Sequence, residues 1–247
     1  MADGIFADIA DRPALVLNPN QPTVEMIPVI DSNHACLENN CTISIKEDET
    51  LITEGTLTLK GENSLHLTAV GLSASPQAIE ETLTSLLCDE ASPAKRKQTI
   101  PSLNSRIAQD ILIQYNFEQQ HKILSTNMGN GVFLKMRSIS PFINIAEDQV
   151  GTVYIDHPCF LRRKILFKDG NFSGLETLNL DIKTPWLEVK RDFYPRGKDV
   201  EIEEHVIIKK SFITPEEIRS KTYKNMRAKL KKYCKEVALI LPQKRKA

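Results

Sequence analysis

Asp181 is followed seven residues later by Glu188-Val-Lys190. Two carboxylates and a lysine in that layout can hold Mg²⁺ while the amine stabilises or activates an attacking water. Glu-x-Lys is also what a half-exposed strand shows by simple alternation. A Mg-dependent nuclease using Asp181, Glu188 and Lys190 is therefore the enzymatic alternative, and a non-enzymatic role is the main reading. His34-Ala-Cys36 with Cys41 lacks a fourth zinc ligand at sensible spacing. His157-Pro-Cys159 makes neighbours of two groups that, in a Cys–His nucleophile, meet from distant parts of a chain. No glycine-rich phosphate loop or dinucleotide fingerprint occurs, so no metal or cofactor is expected.

A second chemistry is better represented, the gripping of a sugar–phosphate chain. The block from Phe117 to Arg137 carries Asn127 and Asn130, Gly131, the aromatic Phe133, and the cations Lys135 and Arg137. Amides and backbone N–H groups around a glycine turn bind phosphate or ribose, an aromatic stacks on a base, and Lys or Arg neutralises phosphate. Two more basic clusters, Lys95-Arg96-Lys97 and Arg162-Arg163-Lys164, are candidate supports. Strand alternation puts Arg162 and Lys164 on one face and Arg163 on the other. These strand cations are placed ahead of the lysine-rich C-terminal helix as RNA contacts.

The elements that must position these groups are legible in outline. Thr42–Ile45, Leu51-Ile52, Thr56–Leu59 and Leu65-His66-Leu67 alternate apolar with polar residues and read as a small antiparallel sheet. Ser75-Pro76 caps a helix carrying Ile79, Leu83, Leu86 and Leu87 and ending near Cys88. Asp89–Pro101 reads as an exposed basic loop. Leu103, Ile107, Ile111 and Tyr115 repeat every fourth residue, and a second amphipathic segment runs from Phe117 to Met128, so two helices are expected before Gly129-Asn130-Gly131. Strands follow at Phe133-Leu134, Val153–Ile155, Phe160–Phe167, Leu178–Ile182 and Trp186–Val189. Thr214-Pro215-Glu216-Glu217 is a capping box opening a basic helix over 214–237, with Ile218, Thr222, Met226, Leu230 and Cys234 as its apolar stripe.

The formal net charge of zero hides a strong asymmetry. Residues 1–90 hold 3 Lys/Arg against 15 Asp/Glu, whereas residues 209–247 hold 13 against 3. An acidic head and a basic tail allow both polyanion binding and head-to-tail assembly. The 5 cysteines stand at irregular positions, unlike a disulfide framework. The longest apolar run, Val237–Leu241, falls far short of the ~18 residues of a membrane span, and the first residues lack the basic and apolar regions of a secretory signal. A cytoplasmic location without membrane contact is expected. The 247 residues are read as one domain, with an acidic sheet region over 1–90 and the basic helix at the other end.

The Phe117–Arg137 block resembles the backbone (crRNA-binding, RAMP-type) subunit of the type I-F CRISPR Cascade surveillance complex. That family carries an aromatic, a helix ending in Asn, a second Asn three positions on, a small residue and an aromatic-Leu strand. Phe117, Asn127, Asn130, Gly131 and Phe133-Leu134 fall at those spacings without a gap, while Lys135-Met136-Arg137 stands where the family has Trp-basic-Asn. The resemblance implies an α+β chain with a compact RNA-recognition-motif-like (ferredoxin-like) palm, inserted segments and a β-hairpin thumb. It implies a non-catalytic subunit lined up in several copies along crRNA, touching other Cascade subunits and copies of itself, and meeting target DNA through the guide. A mimic of that subunit, blocking assembly, is a further alternative.

Overall fold

The structure, a computed structural model, describes residues 12–18, 21–28, 31–87, 95–100, 110–120, 123–126, 129–134, 139–155, 157–169, 179–233 and 237–240. The first part of the chain forms β1 (Pro13–Val16), β2 (Thr23–Met26), β3 (Ala35–Ile45), β4 (Leu51–Gly61), α1 (Glu62–Ser73), α2 (Pro76–Leu87), β5 (Lys95–Thr99) and β6 (Ile111–Gln119). The middle holds β7 (Ile123–Thr126), β8 (Gly129–Leu134), α3 (Ser140–Asn144), β9 (Val153–Tyr154) and β10 (Cys159–Phe167). The last part gives β11 (Leu180–Lys183), β12 (Leu187–Arg196), β13 (Asp199–Ile208), β14 (Phe212–Ile213), α4 (Pro215–Arg219), α5 (Lys221–Tyr233) and β15 (Val237–Ile240). The fold is mixed α+β, with a large, mostly antiparallel sheet and few helices.

Eight strands join in the order β11-β12-β13-β10-β3-β4-β6-β5. Every neighbouring pair is antiparallel except β10 with β3. Because β6 is antiparallel to both β4 and β5, the latter two run parallel. They are joined through α1 and α2, which makes a split β-α-β unit.

Alternation decides the two faces. In β13 every even-numbered residue from Val200 to Ile208 is buried and its odd-numbered neighbours are not. β12 buries Leu187, Val189, Arg191 and Phe193, and β6 buries Ile111, Ile113, Tyr115 and Phe117. The strand registers place all these side chains on one face, where three apolar clusters lie side by side. Leu57, Leu59, Ile113 and Phe117 pack under Leu67, Ile79 and Leu83 of α1 and α2. Ile43, Ile165, Phe167 and Ile202 pack with Val132 and Leu239 of the small sheet β15-β8-β7. Leu187, Val189, Val206 and Ile208 pack under Phe142 of α3, Ile218 of α4, and Tyr223, Met226 and Leu230 of α5. The opposite face of the sheet is polar.

Gly55 is required where β3, β4 and β6 cross in register at Cys41, Gly55 and Tyr115. A Cβ there would lie 2.5 Å from the Asn40 carbonyl oxygen and 2.6 Å from the Tyr115 hydroxyl. Without one, Tyr115 reaches across β4 and donates to Asn39 Oδ1 at 2.5 Å. Burial pushes the Tyr115 phenol well above its ordinary pKa.

The structure corrects several expected elements. Leu65-His66-Leu67 lies in α1, whose inward positions Ser64 and Leu67 fit a helical repeat; three alternating residues are too few to fix a period. Residues 95–99 of the expected basic loop form the edge strand β5. The expected helix through Ile111 and Tyr115 is the strand β6: those residues satisfy a four-residue repeat, but Ile113 and Phe117 complete a two-residue one. The expected helix from Phe117 to Met128 is the end of β6 followed by β7. Leu103, Ile107 and Met128 lie outside the described residues.

The capping box is present: Thr214 Oγ1 accepts from the Glu217 amide (3.3 Å) and Glu217 accepts from the Thr214 amide (2.9 Å). The basic helix it opens is broken at Ser220, which is extended. The break shifts the phase, so Tyr223 is buried in place of the expected Thr222.

Candidate nucleic-acid interface

Asn130, Gly131 and Phe133 are carried on the strand β8, paired with β7, and not on a helix end. Asn130 sits in β8 opposite Ser125 of β7, and its side-chain oxygen accepts the Ser125 hydroxyl at 3.0 Å. Asn130 is exposed, whereas Gly131 is buried between Leu124 of β7 and Ile240 of β15. Phe133 lies two residues further along β8. Asn127, Lys135 and Arg137 lie outside the described residues.

The three cations of β10 are brought to the sheet centre, but against carboxylates. Arg163 points to the covered face, in register with Glu204 of β13, which in turn faces Arg191 of β12. Arg163 Nε donates to Glu204 Oε2 at 2.5 Å and Arg191 Nε donates to Glu204 Oε1 at 2.6 Å. The Arg191 and Glu204 side chains are 1% and 5% exposed. Burial acts to raise the Glu204 carboxyl, but the two guanidiniums outweigh it and hold the group below the ordinary carboxylate range.

On the polar face Lys164 meets Glu201 at 3.0 Å and Glu203 at 3.2 Å, which hold its ammonium above the ordinary lysine pKa. Arg162 stands 4.0 Å from Glu203. A phosphate approaching β10 would have to displace carboxylates already in place.

The β5 cluster splits by alternation. Lys95 and Lys97 face the polar side, where Lys95 pairs with Glu118 at 3.2 Å. Arg96 turns to the helical side toward Glu80 of α2 at 3.8 Å. Among the described residues Lys97 has no ion pair.

The proposed nuclease residues are also engaged. Asp181 lies in register with Lys190 and Lys183 with Glu188. Glu188 takes Lys209 at 2.6 Å, which lowers its carboxyl pKa, and Lys190 turns to Asp192 at 2.9 Å. No group of three or more His, Cys, Asp or Glu close enough to hold a metal ion occurs among the described residues. Cys36 and Cys41 fall on opposite faces of β3, with the Cys36 thiol donating to the Asn33 carbonyl. Cys159 is buried at the start of β10, in register with Ile208 of β13.

Among the described residues the largest cationic face is on α5. Tyr223, Met226 and Leu230 turn inward, and the Tyr223 hydroxyl donates to the Phe142 carbonyl at 2.9 Å; burial pushes that phenol up to about 12. Arg227 also turns inward, donating to the Ile145 carbonyl at 2.9 Å and pairing with Glu147. Lys221, Lys224, Lys229, Lys231 and Lys232 are all exposed. At 100° per residue they spread over roughly half of the helix circumference. No Asp or Glu occurs from Ile218 to Lys235. Lys221, Lys224, Lys229 and Lys231 form no ion pair with a described residue. The sequence signal for this face was the absence of acids, a stronger indicator than the number of lysines.

No protein-family model matches the chain, and the comparisons find neither a curated protein nor a solved structure similar to it.

Proposed function

We propose that this protein is a non-catalytic RNA-binding subunit that holds single-stranded RNA by its phosphates. The observation that carries this is the carboxylate-free lysine face of α5. On the described strands β10, β12 and β13 cations and acids are interleaved, so the local field is small. On α5 the ammonium groups of Lys221, Lys224, Lys229 and Lys231 are exposed and form no ion pair with a described residue, and a lysine is a compact point charge suited to phosphate. Binding of this kind needs no reacting group.

The split β-α-β unit of β4, α1, α2, β5 and β6 supports an RNA-recognition-like palm, since such palms are built from that unit. The Asn-x-x-Asn-Gly-x-Phe-Leu spacing of 127–134 gives the guide RNA of a type I-F-like CRISPR complex as the RNA to test, although Asn130, Gly131 and Phe133 are carried on a strand. In that setting the chain would repeat along crRNA beside other complex subunits.

The test is fluorescence anisotropy with a labelled single-stranded RNA of mixed sequence, titrated with salt and with Mg²⁺ present. Four phosphate contacts predict a slope of log affinity against log salt of about −3. Salt-independent binding, or none at low salt, would contradict the proposal. RNA cleavage lost in Glu188→Ala would reassign the chain as a nuclease.

A further inference from the structure

The β1–β2 hairpin presents an apolar face that no described part of the chain covers. Its register pairs Pro13 with Met26 and Leu15 with Val24 on one face, and Ala14 with Glu25 and Val16 with Thr23 on the other. Leu17 continues the first face. Leu15, Leu17, Val24 and Met26 are 62%, 79%, 71% and 60% exposed. The face therefore carries five apolar side chains and no charge, while its one acid, Glu25, points the other way. A two-stranded hairpin in water is marginal by itself and needs a surface to pack against.

We propose that this face is a self-association surface: two copies of the chain stack hairpin on hairpin through Pro13, Leu15, Leu17, Val24 and Met26. The area decides in favour of a second copy. The four most exposed residues offer on the order of 500 Å² per copy, in the upper part of the range of the largest apolar patch on an ordinary monomer, a patch that is often functional. Two such faces bury about 1,000 Å², the threshold for a specific interface.

The match is also chemical. An uncharged face meeting itself buries no unpaired polar side chain, and a two-fold contact sets Leu15 and Val24 of one copy on those of the other. Stacked hairpins keep their backbones about 10 Å apart, so the outward Glu25 carboxylates lie beyond a Debye length of roughly 8 Å at physiological salt and repel weakly. This surface is separate from α5 and holds whether or not the chain binds RNA.

The experiment is light-scattering mass measurement of the full, nuclease-treated chain in 0.5 M NaCl over a concentration series up to ~100 μM. A species of twice the 27.9 kDa chain mass is expected for the wild type. The double variant Leu15→Asp, Val24→Asp should run as a 27.9 kDa monomer, and its melting temperature should equal the wild type's at a concentration where the wild type is also monomeric, because the hairpin lies outside the three apolar clusters. Leu17→Lys, at the most exposed of the face positions, is a milder variant that should weaken the dimer. A wild type that stays monomeric at every concentration would overturn the proposal, including the case in which residues 1–10 cover the face within one chain. So would a dimer that survives both variants, or an assembly that grows beyond two copies.

Discussion

Glu204 is the residue on which the sheet centre turns. Its carboxylate is shared by Arg163 and Arg191 with almost no water around it. Burying three charges costs desolvation that only good geometry repays, and removing the shared partner leaves two guanidiniums facing each other in a low dielectric. Glu204→Gln should therefore destabilise the fold by about 3–5 kcal/mol, read as a shift in the urea midpoint. The same group fixes a pH dependence. Its folded pKa lies below the unfolded value of about 4.3, so its stabilisation is present above that pH and is lost as pH falls through the folded pKa. Acid unfolding below the ordinary carboxylate range should flatten in the Gln variant; an equally steep profile would show that Glu204 is not the responsible group. The alternation of Arg162, Arg163 and Lys164 is legible in the sequence and correct. That each faces an acid is not, because Glu201, Glu203 and Glu204 become their neighbours only once β13 is laid antiparallel to β10.

The elements show where a periodic pattern informs and where it misleads. The run Phe160–Phe167 is readable as β10 at nearly its full length. By contrast, β3 is legible only over Thr42–Ile45 and β4 reads as the two pieces Leu51-Ile52 and Thr56–Leu59, because Gly55 has the look of a turn and the structure carries the strand straight through it. Ile111 and Tyr115 are shared by a helical and a strand pattern, and tertiary pairing with β4 decided between them. α2 and the capping box of α4 were readable from local chemistry alone, since the Ser75 and Thr214 side chains accept hydrogen bonds from backbone amides three residues on. The break at Ser220 left no such mark. Thr214→Ala should cost about 1 kcal/mol, the usual loss of a cap, and should leave the denaturant m-value unchanged. A loss several times larger would mean that α4 also positions α5 through Ile218.

Across the whole molecule, every described helix and the small β15-β8-β7 sheet pack on one side of an eight-stranded sheet. The other side carries the interleaved acids and cations of β10, β12 and β13 beside neutral and apolar residues such as Leu112 and Ile207. The composition gave the segregation of charge between an acidic head and a basic tail, but not which cations are spoken for. β10 lies at the sheet centre with carboxylates on the neighbouring strand, whereas α5 lies on the outer layer of its cluster with lysines facing outward. That difference in position, invisible to a count of Lys and Arg, moves the candidate interface from the strand to the helix.

The most direct measurement compares two neutralising pairs in one RNA-binding assay at ~0.1 M salt. Lys224→Gln with Lys231→Gln should weaken single-stranded RNA binding about tenfold and reduce the salt slope by roughly 1.4, whereas Arg162→Gln with Lys164→Gln should change affinity less than about twofold. If the β10 pair costs as much affinity as the α5 pair, or the α5 pair costs none, RNA does not bind on the lysine face and the assignment falls.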